Sequence, residues 1–388
     1  MYKNKYMSFI CLIFTVFVVS GCGQQAVLFE RVKIADTPYE AASAFDVDKD
    51  GSVDIVSGEY WFGGPDFKTR HKICDVQQVS QYYDDFGDYP MDVDGDGYID
   101  IVTGGWFGKN IRWRRNPEGK LISWQEQIID DTGNCERPCF WDVDGDGFVE
   151  VVPNAGDKIA VYKLDRDSNG RGLGKFTKYM IKESGCGHGL GFGDINGDGR
   201  GDFVIPTGWL EAPAKLFEEE WKFHPDFTLS KYRNRHASVP ILVYDVDEDG
   251  LADLIYGEGH SYGLYWVRQA INPAGQRYWQ HHIIDTKNSQ YHDVRLADID
   301  NDGQLELITG KRYRAHNGKD PGGNDPVGTY YFEITKGKFE RFTLDYGPAE
   351  TSSGVGIYFW VEDITGDGYK DIIAPGKEGL YLFKNMGL

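Results

Sequence analysis

Positive charge is what this sequence is short of. Its 41 lysines and arginines face 61 aspartates and glutamates, a formal net charge of −20. Nucleic-acid phosphates demand a basic face, so that balance excludes nucleic acid as a partner. Long apolar runs are lacking too: the one from Phe9 to Val19 is too short for a comfortable membrane span. Cysteine is thin as well. After residue 22 only Cys74, Cys135, Cys139 and Cys186 are left. Spacing assigns no pairing, so a Cys135–Cys186 bridge between neighbouring repeats and four buried free thiols both stay open.

The short apolar run has a use of its own. Lys3 and Lys5 precede it and Val19-Ser20-Gly21-Cys22 closes it. A charged start, a short apolar stretch and small residues before a cysteine read as a bacterial lipoprotein signal over residues 1–21. Cleavage before Cys22 and lipidation of its thiol are expected. The mature chain, 22–388, is then an exported lipoprotein, periplasmic or at the cell surface, that meets the membrane through its lipid anchor only.

An acidic motif, Asp-x-Asp/Asn-x-Asp-Gly-x-x-Asp/Glu, recurs seven times. Its copies start at residues 46, 92, 142, 194, 245, 298 and 363, so successive starts lie 46, 50, 52, 51, 53 and 65 residues apart. That period fits one four-stranded propeller blade per copy. Carboxylates at positions 1, 3, 5 and 9 around a turn-forming glycine form an oxygen-only set that suits Ca²⁺. The expected ligands are Asp46, Asp48, Asp50 and Asp54 in the first copy, then Asp92, Asp94, Asp96 and Asp100. Asp142, Asp144, Asp146 and Glu150 follow, then Asp194, Asn196, Asp198 and Asp202. The fifth copy offers Asp245, Asp247, Asp249 and Asp253, the sixth Asp298, Asp300, Asp302 and Glu306, and the seventh Asp363, Asp367 and Asp371. Asn196 and Thr365 replace a carboxylate, so the fourth and seventh loops are expected to bind more weakly.

Short β-branched stretches such as "FVIP", "LIYG" and "DIIAP" follow the motifs, so each loop joins two strands. Outer strands read as "SWQEQIID", "YWQHHIID" and "FERFTLD", and the last repeat lacks one. "LFERVKIAD" at 28–36 supplies the match, which closes the ring and removes an exposed edge. The expectation is all-β: a single seven-bladed β-propeller with acidic Ca²⁺ loops, sealed by its N-terminal strand.

If each acidic loop joins strands one and two, the residues before a motif and after its second strand gather at the opposite mouth of the axis. Ahead of the motifs stand Glu40, Asp84, Asp85, Glu136, Arg137, His188, His236, Tyr291 and His292. After second strands come Trp106, Trp209, His260, Lys311 and Arg312. Two insertions, about 210–235 and 311–327, are expected to hang there too. Histidines, aromatics and cations round one mouth describe a polar, carbohydrate-like site. The glycines beside His188 read as room for a substrate where strands crowd together.

The repeat resembles the FG-GAP/VCBS type over essentially the whole mature chain. More narrowly, "GHGLGFGDINGDGRGDFVIPTGWLEAP" is similar to propeller domains of the aldos-2-ulose dehydratase type, and the chain broadly resembles seven-bladed polysaccharide lyases. The resemblance implies a carbon–oxygen lyase or dehydratase acting by β-elimination on a keto-sugar or uronic-acid glycan, and only His188 is carried over from it by its surrounding motif. The residue types suit that chemistry: His188 or His292 as base, Tyr291 as proton donor, and Arg137 as a catalytic cation. Lys311 and Arg312 would hold an anionic or keto sugar, with His236, His260, Trp106 and Trp209 also binding substrate. An additional divalent metal at the axial mouth is a further option, since imidazoles from separate strands can make an open site. A non-catalytic glycan- or protein-binding lipoprotein is the alternative from another class. Hydrolysis would need two opposed carboxylates, for which Glu40, Asp84, Asp85 and Glu136 are available.

Overall fold

The computed structural model describes residues 26–230 and 236–387; the expected signal segment and Cys22 lie outside the described residues. Seven four-stranded antiparallel sheets follow one another round an axis. The first six blades are continuous in sequence, beginning with Ser43–Phe45, Tyr89–Met91, Cys135–Trp141, Gly191–Gly193, Leu242–Tyr244 and Val294–Ala297 as inner strands. The seventh combines Trp360–Glu362, Asp371–Gly376 and Gly379–Asn385 with the N-terminal strand Phe29–Ala35. Phe29 pairs with Asn385 and Lys33 with Tyr381. No helix of the described residues is long and apolar enough to cross a membrane.

Second strands such as Asp100–Gly105 are buried at every residue, because each lies in mid-sheet with a blade on either side. Outer strands alternate instead, as over Gly172–Lys182, where one face meets solvent. The core is accordingly divided into seven apolar clusters, each between two adjacent blades. All four described cysteines are buried and free; Cys135 lies in the cluster of blades two and three and Cys186 in that of blades three and four, so the Cys135–Cys186 bridge is not formed.

Each acidic motif turns the chain from strand one to strand two. Its first carboxylate caps the turn: Asp46 accepts from the backbone N–H of Asp50 and Gly51, at 3.1 and 3.0 Å. In five of the seven copies the ninth residue, expected as a ligand, turns both oxygens to backbone amides instead. Asp202 accepts from Ile195 N and Ala212 N, at 3.0 and 2.8 Å, and Asp54, Asp100, Asp253 and Asp371 likewise spend both oxygens on backbone amides. Glu150 and Glu306 use one oxygen each that way. A carboxylate buried in mid-sheet must satisfy its acceptors locally, and the orphan N–H groups of the turn are the nearest donors.

The blades are also tied side by side. Asn116 Nδ2 donates to Val47 O, Gln269 Nε2 to Ile195 O and Asn385 Nδ2 to Ile299 O, at 2.9, 3.1 and 2.6 Å. Each accepting carbonyl belongs to the second residue of a neighbouring blade's motif.

Candidate functional site

At the mouth away from the acidic loops, one donor atom from each of Glu136, His188, His260 and His292 lies within 4.8 Å of the others. Four blades supply the framework: Glu136 lies at the start of the inner strand of blade three, His188 precedes that of blade four, and His292 precedes that of blade six. His260 follows the second strand of blade five. The glycines near His188 serve the backbone as well as the site. A Cβ on Gly191 would stand 2.3 Å from Ile241 O, where the inner strands of blades four and five bridge in parallel. Gly259 keeps space between His292 and His188, whose ring atoms would lie 3.4 and 3.6 Å from a Cβ there.

Hydrogen bonds fix the tautomers. His188 Nδ1 lies 2.9 Å from Ala237 O, a carbonyl that can only accept, so Nδ1 carries the proton and Nε2 presents a lone pair. His260 Nδ1 donates to Asp320 Oδ2 at 2.9 Å, which frees its Nε2 in the same way. His292 Nε2 donates to Glu136 Oε1 at 3.2 Å, leaving Nδ1 bare. His188 Nε2, His236 Nδ1 and His292 Nδ1 are buried without a partner. Burial lowers the pKa of all four imidazoles, to about 4 for His236 and about 3 for His260, so they are neutral at pH 7.

Glu136 keeps the opposite charge. Burial alone would raise its pKa, but the His292 bond and the Arg312 guanidinium hold it well below the usual range. Arg312 spans from Glu136 Oε1 to Glu40 Oε1, both at 2.9 Å, and Lys377 pairs with Glu40 at 2.7 Å. His188 Nε2, a bare lone pair, faces Glu136 Oε2 across 4.0 Å. A cation between them relieves that opposition. The Nε2 lone pairs of His188 and His260 and the Glu136 carboxylate, with outer carboxylate and carbonyl partners, fit a divalent transition metal, and His292 would join them on giving up its Nε2 proton.

A cavity of about 250 Å³ opens onto this cluster. His188, His236, His260 and Glu136 line it together with Trp106, whose side chain is 40% exposed. Two further residues at the mouth were not foreseen. His316 lines the cavity, and its Nδ1 donates to the same Asp320 Oδ2 at 2.8 Å. Arg314, His316 and Asn317 all have left-handed backbone, strain that delivers the imidazole to the opening. Lys311, expected to bind substrate, is buried and ties this insertion down through Ser289 Oγ and Gly322 O.

Other expected site residues stand elsewhere. Tyr291 is fully buried in the cluster between blades five and six, and its hydroxyl donates to Asp285 at 2.6 Å, so it does not reach the mouth. Arg137 lies in the axis, bonded to Asp293 and Ile357 O at 3.1 Å each and stacked over Tyr358. Trp209 is core: it stacks on His224 at 4.2 Å and donates to Asp226. The segment after Leu210 joins strands three and four of its blade and sits at the acidic-loop end, where Ala212 N meets Asp202. Asp84 is engaged by Phe107 N, Gly108 N and Arg112, and Asp85 by Arg114. Glu40 is likewise ion-paired, so no two of the four carboxylates considered for hydrolysis stand free and opposed.

The FG-GAP-like repeat family matches residues 92–153 and 245–309. No curated protein matches the sequence. Among solved structures, virginiamycin B lyase from Staphylococcus aureus is 10% identical with a TM-score of 0.51, covering 93% of this chain and 100% of that one. An inactive variant of that lyase with quinupristin is 12% identical, with a TM-score of 0.50 over 92% and 100%. A lectin from Agrocybe aegerita that recognises non-reducing terminal N-acetylglucosamine is 13% identical, at a TM-score of 0.45 over 89% of each chain. At such identities the likeness to the lyase speaks for the fold alone. With seven sheets round one axis and two stretches that match the repeat, the chain is a seven-bladed β-propeller carrying FG-GAP-like repeats.

Proposed function

We propose that the mouth is the active site of an exported carbon–oxygen lyase, which eliminates a β-oxygen substituent from a keto-sugar or a uronic-acid-containing glycan. One observation carries this reading: buried, tautomer-fixed imidazoles surround a single carboxylate and leave their lone pairs free. Sugar binding alone calls for aromatics and amides; unprotonated bases are what proton abstraction needs.

Glu136, His188, His260 and His292 would hold a divalent metal, which supplies Lewis-acid polarisation of a substrate carbonyl or carboxylate. The remaining work falls to the chain. Trp106 offers an exposed ring for a sugar face. His236, neutral and beside His188 in the cavity wall, takes the proton from the carbon next to the carbonyl. The C–H electrons form the double bond as the C–O bond breaks. His316, steadied through Nδ1 by Asp320, returns a proton to the departing oxygen. It takes the donor role first expected of Tyr291.

The test uses protein stripped of transition metal and reloaded with Zn²⁺ or Mn²⁺, screened on uronic-acid glycans and keto-sugars. An ultraviolet-absorbing, unsaturated product is expected. His188→Ala and His260→Ala should lose both turnover and bound metal, while melting in Ca²⁺ stays near wild type. Binding without product would replace this reading with a glycan-binding platform, and a product that has gained water without unsaturation would make the protein a hydrolase.

A further inference from the structure

The seven acidic loops differ in one position outside the motif. It lies on the third strand, one residue beyond the partner of the residue that follows the ninth motif position. Arg115, Lys163 and Arg268 occupy it in blades two, three and five. Each reaches into its own loop: Arg115 to Asp94 and, at 2.8 Å, Asp96; Lys163 to Asp144, to Asp146 at 2.6 Å and to Glu150 at 3.6 Å; Arg268 to Asp247 and, at 2.6 Å, Asp249. A tethered cation thus sits where a metal would sit.

Blade six reverses the charge. Glu333 holds the position, is buried, and faces Asp300 and Asp302. The ninth residue there is Glu306, wholly buried, and its Oε1 has no partner; neither does Asp298 Oδ1. Loop three, the other loop with a glutamate at position nine, shows the contrast, since Lys163 lies beside Glu150 Oε1. Among the described residues no lysine or arginine pairs with Asp298, Asp300, Asp302, Glu306 or Glu333. The first loop has Gly63 at this place, the fourth has Glu211, already paired with His224 at 2.7 Å, and the seventh has Lys384.

We propose that the sixth loop is the tightest divalent-cation site of the ring, with Glu333 as a ligand from outside the motif, and that loops two, three and five are filled by their own side-chain cations. Buried like charges without counter-ions are costly, and a hard cation that accepts six to eight oxygens removes the cost. Loops with an ammonium or guanidinium in place must expel it before a metal can enter. The ring is therefore graded and does not take up seven equivalent ions.

Calorimetric Ca²⁺ titration of the chelator-treated full chain tests this. Wild type should show one class of site tighter than the rest, and Glu333→Gln should weaken that class at least tenfold. Lys163→Met should add one site. Melting separates a ligand from a merely structural residue: in chelator Glu333→Gln should melt at or above wild type, and on adding Ca²⁺ it should gain less than wild type does. Seven uniform sites, no Ca²⁺ binding, an unchanged tight class in Glu333→Gln, or equal destabilisation of that variant with and without Ca²⁺ would each overturn the proposal.

Discussion

Asp320 Oδ2 receives Nδ1 of both His260 and His316, so one carboxylate sets two tautomers at once. Asn in its place offers a single carbonyl oxygen and no charge, and the imidazoles lose their charged acceptor. We expect Asp320→Asn to lower kcat/KM roughly 10–100-fold, the usual range for an outer partner of a ligating histidine, with melting nearly unchanged. Steady-state kinetics beside thermal denaturation checks this; equal loss of both would mean a packing role. At this scale the sequence was partly readable. His188, His236, His260 and His292 were found because their places relative to the motif are periodic. His316 and Asp320 sit in an irregular insertion, where no period points. Tyr291 was misjudged because it neighbours His292, and adjacent residues of an extended segment face opposite ways.

At the scale of elements, the blades are joined by the amides of Asn116, Gln269 and Asn385 as much as by apolar contact. Each donates also to its own blade, as Asn116 Nδ2 does to Ile99 O at 3.1 Å. Asn116→Ala strands the Val47 and Ile99 carbonyls and should cost about 1–3 kcal/mol, read as a lower urea midpoint at unchanged slope. The turns themselves were legible from the Asp-x-Asp-x-Asp-Gly spacing, and so was the alternation of the outer strands. The role of the ninth carboxylate was not. Spacing cannot distinguish an oxygen aimed at an ion from one aimed at a backbone amide, because both demand an acid at a fixed place. Trp209 shows the same ambiguity, since an aromatic at a strand end serves equally as core and as platform.

For the whole molecule, the count of seven blades was legible because each blade repeats one motif. Strand Phe29–Ala35 completes the last blade, so the described chain begins and ends in the same sheet. That sheet would lie a few residues from the proposed lipid at Cys22. Cys22→Ser is expected to move the protein from the detergent-extracted membrane fraction to the soluble exported fraction, measured by fractionation and immunoblotting. Unchanged partition would reject the anchor.

Arg137 has a consequence at this same scale. It stands on blade three, yet its guanidinium grips Asp293 ahead of blade six and Ile357 O ahead of blade seven. The bonds run across the axis like a bar through a pipe. A long polymer cannot be drawn through the ring. On the proposed reading, a polymeric substrate would rest on the rim, or dip one terminus into the histidine basin and withdraw by the way it came.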